Sequence, residues 1–421
     1  MLTAVVGINW GDEGKGRMVD LLSADYDIVC RYQGGNNAGH TVINDYGKIV
    51  LNLLPSGISR EGTVNVMGNG MVIDLEHLVH EIQSLREKGI HIGSDNLKIS
   101  DKAVICLPWH KMQDIMEEDR LKDKKFGSTR RGIGPVYADK YMKKAIRMGD
   151  LFAPDKLPEK VADLTEWKNL TVRGYGHEPV KAEDILAWLH EFGDPIKPYI
   201  TDVSDYLYDA ASAGENIMFE AQLGALRDID FGIYPYTSSS CTLAGYATIG
   251  AGIPGLKLDK TIGIMKAYSS CVGEGPFTVE MFGDEAEALR RAGGEYGAAT
   301  GRPRRVGAFD IPASRYGVRM HGADCIALTK MDVLSYMDKI PVCVAYDING
   351  EITEKFPVGE RLNAAKPVFE YMEGFGDISG CRKPEDLPKA AMDYIRYLEA
   401  AVGCKIKYVS VGAGRDEYVE L

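Results

Sequence analysis

Gly11-Asp12-Glu13-Gly14-Lys15-Gly16-Arg17 lies between the apolar run Leu2-Thr3-Ala4-Val5-Val6-Gly7-Ile8 and the helically spaced Met18-Val19-Asp20-Leu21-Leu22. The run has the length and β-branched content of a buried strand, so the stretch reads as strand, glycine-rich turn and helix N-terminus. Such a junction suits an anion, because glycines let the backbone approach closely, unpaired N–H groups point outward and the helix dipole favours negative charge. Lys15 adds a point charge. The spacing is not that of a Walker A loop, which would need glycine at Asn9 and Ser or Thr at Gly16. The turn also carries acids: Asp12 can bind Mg²⁺ or take a proton from a substrate held beside phosphates. A tight turn with no ligand is the plainer alternative, and this stretch alone leaves both open.

A second signal changes the balance. Arg31-Tyr32-Gln33-Gly34-Gly35-Asn36-Asn37-Ala38-Gly39-His40-Thr41 follows a short apolar run, Asp27-Ile28-Val29-Cys30, and packs glycines and amides around one histidine. In a loop beside a phosphate site, an imidazole is a candidate general acid. Further along, Phe126-Gly127-Ser128-Thr129-Arg130-Arg131-Gly132-Ile133-Gly134-Pro135 reads as a basic loop able to clamp phosphate, and Thr237-Ser238-Ser239-Ser240 as a rank of hydroxyl donors. Gly301-Arg302-Pro303-Arg304-Arg305 concentrates arginines whose forks match carboxylates and phosphates. A solvated charge cluster is the alternative there. Cys325-Ile326-Ala327-Leu328-Thr329 reads as a buried strand ending in Lys330-Met331-Asp332, similar to the guanine-reading element of GTP-binding proteins.

The chain has 421 residues and a formal net charge of −12. That charge disfavours nonspecific binding to nucleic acid or anionic membrane, though a local basic pocket can still hold nucleotides. Cysteines at 30, 106, 241, 271, 325, 343, 381 and 404 show no CxxC pair and no zinc-type clustering, which fits a reducing compartment. Met1 leads straight into a strand, and no apolar run approaches the ~20 residues of a membrane span. The expectation is a cytoplasmic protein without membrane or nucleic-acid partners.

Strands are expected at Lys48 to Leu53, Thr63 to Met67, Asn96 to Ser100, Asn216 to Glu220, Thr261 to Lys266 and Lys405 to Val411. Helical spacing runs through Leu75, Leu78, Val79, Ile82 and Leu85, from Trp109 to Lys122, across much of 150 to 215, and from Ala390 to Val402. His77 and His80 are expected to be solvated. With no repeat and no interdomain linker, 1–421 reads as one α/β unit: a large, mostly parallel β-sheet flanked by helices, with a helical elaboration over roughly 100–215.

Taken in order, these motifs resemble the adenylosuccinate synthase family, whose members join IMP to L-aspartate at the expense of GTP. The resemblance rests on Trp10 to Gly16, Gln33 to Thr41, Arg131 to Pro135, Asp228-Ile229-Asp230 with Tyr234-Pro235-Tyr236, Gly301 to Arg305 and Thr329 to Asp332, and it spans the chain. It implies a P-loop-NTPase-like fold and a ligase in which Asp12, Lys15 and His40 are catalytic. Asp12 would take the N1 proton of IMP and, with the carbonyl of Gly39, coordinate one Mg²⁺. GTP would be held by Gly11 to Arg17, Gly39, His40, Thr41, Arg304, Lys330, Met331, Asp332, Ser410, Val411 and Gly412. IMP would be held by Asp12 to Lys15, Asn37, Ala38, Gly39, His40, Thr129, Gln222, Ser238 and Arg302. Aspartate would fall to Ala298, Ala299, Thr300, Gly301, Arg302 and Arg304. Members are homodimers in which a basic residue, here Lys143, reaches the partner's IMP phosphate.

The chain also departs from the family's pattern. Lys143 replaces an arginine, Arg130 a glycine, Ser238 and Ala299 threonines, and Cys271 an arginine. Phe219-Glu220-Ala221-Gln222-Leu223-Gly224 stands where Phe-Glu-Gly-Ala-Gln-Gly is usual, so the IMP-contacting position is Leu223 without a gap and Gln222 with a one-residue slip. The slip is preferred because it keeps the glutamine. These changes leave two alternatives: a paralogue acting on another 6-oxopurine nucleotide, and a GTP-binding regulator without turnover.

Overall fold

A computed structural model describes residues 1–296, 301 and 303–421. Ten strands form its main sheet: Leu2–Gly7 (β1), Ile28–Arg31 (β2), Val64–Met67 (β3), Leu97–Ser100 (β4), Ile200–Thr201 (β5), Ile217–Gly224 (β6), Lys260–Lys266 (β7), Cys325–Thr329 (β8), Ile406–Ser410 (β9) and Tyr418–Glu420 (β10). Their order is β10-β9-β8-β7-β1-β6-β2-β3-β4-β5, and every neighbouring pair is parallel except β9 with β10. All of β1 is buried, as a central strand covered on both faces must be, which explains why its sequence is a continuous apolar run without alternation.

In a parallel sheet the carboxyl ends of the strands open on one edge, and ligands of open α/β sheets bind outside that edge. Here Gly7, Arg31, Gly224, Lys266, Thr329 and Ser410 close six strands on that side. The expected strands and helices near these ends are all present, and β6 runs on to Gly224, past the expected stop at Glu220.

One irregularity bears on the site. Val5 pairs with Glu220 and Gly7 with Gly224, so β6 carries two more residues than β1 over this interval and its backbone bulges at Ala221 to Leu223. Leu223 takes a left-handed φ of +62° there.

The helical elaboration consists of Pro108–Leu121, Ile133–Tyr141, Leu157–Gly174, Ala182–Gly193 and Val203–Ser212. A buried polar tether joins three of these helices. His110 Nε2 lies 2.9 Å from Asp139 Oδ2, and Lys168 Nζ reaches the same oxygen at 2.7 Å. His77 is half-buried, with Nε2 3.0 Å from Asn52 Oδ1, and so departs from the solvated state expected of it; His80 is exposed. His40 opens the strand His40–Asn44, which pairs antiparallel with Gly47–Leu51, whereas the sequence places it in a loop. A second antiparallel group, Lys339–Ile348 with Glu351–Thr353 and Ala365–Glu373, was not anticipated; Ala365–Glu373 is largely exposed and lacks a core-facing pattern.

The helix Ile311–His321 is capped by Asp310, whose carboxylate accepts from the Ala313 N–H at 3.1 Å. At its other end His321 is buried between two backbone groups: its ring nitrogens lie 2.9 Å from the Gly7 carbonyl and 3.2 Å from the Ala244 N–H. A neutral ring donating from Nε2 and accepting at Nδ1 satisfies both. Burial pushes its pKa down to about 4 from the ordinary 6.5. Between those values the unfolded chain binds a proton that the folded chain refuses, so stability falls as pH drops through this window and is fully present above it. The contribution is about 3 kcal/mol at most. Urea unfolding at pH 7 and pH 4.5 should show this loss, and His321→Gln, which cannot titrate, should flatten that part of the profile; an unchanged slope would place the acid sensitivity in other groups.

Candidate active site

The turn after β1 is held from beneath by one of its own side chains. Glu13 is buried and folded back: Oε1 accepts from the N–H groups of Asn9 at 3.2 Å and Gly11 at 2.7 Å, while Oε2 pairs with Lys15 Nζ at 2.6 Å. A Cβ on Gly7 would lie 2.5 Å from Glu13 Oε2 and 2.7 Å from Lys15 Nζ, so only glycine leaves room for this pair. The Glu13 side chain is therefore engaged by the turn itself. Thr329 Oγ1 donates to the Glu13 carbonyl at 2.6 Å and ties the end of β8 to the turn. Gly14 begins the helix Lys15–Leu22 at φ +92° with no side-chain cap, leaving the first-turn N–H groups open to an anion as the sequence implies.

Asp12 points the other way. Held at φ +58°, its carboxylate is partly exposed and meets Arg304 Nη2 at 3.2 Å. Arg304 Nη1 in turn reaches Glu295 Oε2 at 2.8 Å.

His40 packs against the same helix start, since a Cβ on Gly16 would come within 2.7 Å of His40 Cβ. Its Nδ1 lies 2.5 Å from Glu220 Oε1. Glu220 also accepts from the Ser56 N–H at 2.8 Å and the Ser56 hydroxyl at 2.5 Å. Burial alone would push the Glu220 carboxyl up, but His40, Arg31 and Ser56 outweigh it and hold the group below the usual carboxylate range. An ionised carboxylate can only accept, so Nδ1 carries the proton and Nε2 is left for chemistry.

The β6 bulge turns Gln222 toward Asn37. Gln222 Nε2 donates to Asn37 Oδ1 at 2.6 Å, and Oε1 accepts from Arg31 Nη2 at 2.9 Å and from the Gly35 N–H at 3.1 Å. Gln33 links this set to Ser240 at 2.9 Å, and Ser240 lies 3.3 Å from Ser238, so Asn37, Gln222 and Ser238 belong to one hydrogen-bonded group. Leu223 turns instead toward Gly11.

At the end of β8, Lys330 takes φ +57° and sends Nζ to the Gly293 carbonyl at 2.5 Å and to Glu295 Oε1 at 3.1 Å. Asp332 Oδ1 is buried and accepts no hydrogen bond from the described residues. Burial raises the Asp332 pKa, opposed by Arg17 and Lys330. A buried acceptor without a donor is costly unless a ligand supplies one. Arg17 donates to Ser410 Oγ, to the Gly414 carbonyl at 2.6 Å and to the Glu417 carbonyl at 2.9 Å, fastening the Ser410 to Gly412 segment beside Asp332.

Not every expected residue converges. Thr129 and Lys143 are exposed, and their side chains hydrogen-bond to none of the described residues. Thr41 pairs with Val50 in the hairpin. Ala298, Ala299, Thr300 and Arg302 lie outside the described residues; Gly301 is exposed at φ +64°. Sequence reasoning missed Glu220 as the partner of His40, the Arg31 guanidinium, and Glu295 with Lys266 and Tyr268. The one available signal for Glu295 was an acid set among glycines just before the arginine-rich stretch.

A family model described as adenylosuccinate synthetase matches residues 4–419. The chain is 44% identical to an adenylosuccinate synthetase of Caldanaerobacter subterraneus subsp. tengcongensis, covering 100% of this chain and 99% of the relative. It is 43% identical to one of Streptococcus gordonii, covering 98% and 96%. Among solved structures, the fully ligated adenylosuccinate synthetase of Plasmodium falciparum superposes with a TM-score of 0.92 at 36% identity, over 100% of this chain and 99% of that one. A cyanophage S-2L succinoaminodeoxyadenylate synthetase shares the fold at a TM-score of 0.61 and 18% identity, over 100% and 95%.

Replacing Gln222 by leucine would strip acceptors from Arg31 and the Gly35 N–H and the donor from Asn37. Arg31 Nη2 then keeps only its contact to the Gly35 carbonyl at 3.4 Å, and the Gly35 N–H and Asn37 Oδ1 keep only each other at 3.2 Å, so Gln222→Leu should lower the urea-unfolding free energy by about 1–3 kcal/mol. No loss would mean that Arg31 and Gly35 are satisfied without it.

Proposed function

The chain belongs to the adenylosuccinate synthetase family and is a ligase that forms a carbon–nitrogen bond between IMP and L-aspartate, and we propose that Asp12, His40 and Lys15 carry its chemistry with GTP as phosphoryl donor. The observation that supports this most is the convergence of the Asp12 turn, the His40–Glu220 pair and the Asp332 Oδ1 atom, which accepts no hydrogen bond from the described residues, at the carboxyl edge of one parallel sheet.

The C6 oxygen of IMP is a poor leaving group. In the proposed sequence Asp12 takes the N1 proton, the C6 oxygen attacks the γ-phosphorus of GTP, and GDP departs. Aspartate's amine then adds at C6, and phosphate leaves with the former C6 oxygen. His40, anchored through Nδ1 to Glu220, presents Nε2 to the transferring phosphoryl, a proton-handling role typically worth roughly 10²–10⁴ in rate. Lys15 and the open N–H groups of the first helical turn stabilise charge that spreads over the phosphoryl oxygens. Asn37, Gln222 and Ser238 hold IMP. Lys330 and Asp332, with the Ser410 to Gly412 segment that Arg17 fastens, hold guanine.

Mg²⁺ suits this donor set. Among the described residues no group of three or more acidic, histidine or cysteine side chains could hold a metal, and Mg²⁺ characteristically uses one or two protein oxygens beside substrate phosphates and water. The Asp12 carboxylate and the Gly39 carbonyl, above whose Cα there is open space, would supply them. When bound, the ion would neutralise phosphate charge. Lys143, exposed after the helix Ile133–Tyr141, is suited to reach the IMP phosphate of a second copy of the chain. Among the described residues no helix is long and apolar enough to cross a membrane.

The alternative acceptor purine draws little support from position 271. Cys271 is buried in a hydrophobic cluster and its sulfur accepts from Arg227 Nη2 at 2.8 Å, so its departure from the family's arginine changes packing and not an open pocket wall.

Purified protein with IMP, GTP, Mg²⁺ and L-aspartate should release succinyl-purine and GDP in equal amounts, and omitting any one component should stop both. GDP without the succinyl product would point to another acceptor. Asp12→Asn should lower turnover at least ~10²-fold while GTP binding stays measurable, and a near-normal rate would remove Asp12 as the base. For Asp332→Asn, selection of GTP over XTP should drop by about 10- to 100-fold, the worth of a charged hydrogen bond; equal selection would place base reading elsewhere.

A further inference from the structure

Glu295 has no part in the chemistry above, yet it is the most heavily bonded acid beside the site. It is fully buried. Oε1 accepts from Tyr268 OH at 2.5 Å, Lys266 Nζ at 2.8 Å and Lys330 Nζ at 3.1 Å; Oε2 accepts from Arg304 Nη1 at 2.8 Å. Its carbonyl accepts from the Arg304 N–H at 2.9 Å, so backbone and side chain grip the same arginine. The cations arrive from different elements: Lys266 ends β7, Lys330 follows β8, and Arg304 precedes the short strand Arg305–Gly307.

Two of these cations lead to the working ends of the site. The free arm of the Arg304 fork meets Asp12, and Lys330 stands two residues before Asp332. Burial alone would push the Glu295 carboxyl up, but Lys266, Lys330 and Arg304 outweigh it and hold the group well below the usual carboxylate range. The carboxylate is thus a fixed negative charge at any working pH and not a proton carrier.

Building on the proposed function, we infer that Glu295 is a positioning residue that sets Arg304 against Asp12 and Lys330 beside Asp332, and so couples the reacting centre to the base-reading end of the donor nucleotide site. The IMP group of Asn37, Gln222 and Ser238 hangs on β2, β6 and the serine-rich segment and shares none of these contacts. IMP is reached only through Asp12 at N1, where a displacement is read in kcat, so the coupling weighs on GTP binding more than on IMP binding.

Glu295→Gln keeps the shape and removes the charge that buried Lys266 and partly buried Lys330 and Arg304 share, and losing one partner of a buried ionic group is strongly felt. The variant should raise the KM for GTP about tenfold or more and reduce selection of GTP over XTP, with the KM for IMP shifted less than about twofold. Glu295→Asp, which retains the charge, should recover part of the loss. A merely structural role would lower kcat through a smaller folded fraction and leave both KM values alone. An unchanged GTP KM, or GTP and IMP KM values that rise together, in a variant that melts like the parent would overturn the inference. If Glu295→Gln does not fold, Tyr268→Phe carries the same test, because it removes one donor from the same oxygen. It should raise the GTP KM severalfold at constant IMP KM, and no rise would overturn the inference. Turnover by the parent protein decides the underlying reading; the variants' GTP KM relative to the parent decides this one.

Discussion

A carboxylate folded beneath its own loop governs the site. Glu13 neutralises Lys15 and satisfies two N–H groups of the turn at the end of the central strand. The turn can then leave the sheet without stranding donors in a dry interior, where each would cost roughly 1–3 kcal/mol. The arrangement demands a residue without Cβ at Gly7 and fixes the neighbouring Asp12 at a left-handed φ with its carboxylate outward. Two adjacent acids thereby take opposite roles, one inside the backbone and one toward Arg304. Their environments, not their chemistry, separate them.

The same economy of charge recurs across the pocket. A chain of net charge −12 that handles phosphates needs local positive charge, and here several buried or partly buried cations have a carboxylate close at hand: Lys15 with Glu13, Lys266 and Arg304 with Glu295, Arg305 with Glu280. Cations balanced in this way can be kept at reduced exposure without the desolvation penalty of an isolated ion. They also stay where an anionic ligand meets them already oriented, which is the arrangement that electrostatic stabilisation of a phosphoryl group calls for.

Much of this was legible in the sequence, for identifiable reasons. The strands of the central sheet are short and mostly apolar, and the glycine turn, the His40 segment and the Lys330-Met331-Asp332 element sit at strand ends where local pattern alone is informative. The anchors were not legible, because what makes Glu220 and Glu295 matter is a partner far away in sequence. His40 and Glu220 are 180 positions apart, and Glu295 gathers cations from residues 266, 304 and 330. Read in isolation, Glu220 is an acid in an apolar strand and Glu295 an acid among glycines. In the antiparallel group at 339–373, the strand Ala365–Glu373 was missed for the opposite reason: it is too exposed for burial to imprint a clear alternation on it.

The ambiguity at Gln222 and Leu223 shows how one backbone irregularity ties separate parts of the site together. Because β6 carries two residues more than β1 between Glu220 and Gly224, Gln222 swings inward to Asn37, and its amide fills the space that a side chain on Gly34 would need. The following residue must absorb the bulge, and Leu223 does so at φ +62°, a conformation that costs a non-glycine residue of order 1–3 kcal/mol. That strain persists because both neighbours are fixed: the Leu223 carbonyl presses on Gly7, and its side chain lies against Gly11. The bulge that delivers a glutamine to the Asn37 group is therefore the same contact that shapes the Asp12 turn. A regular β6 would lose both at once.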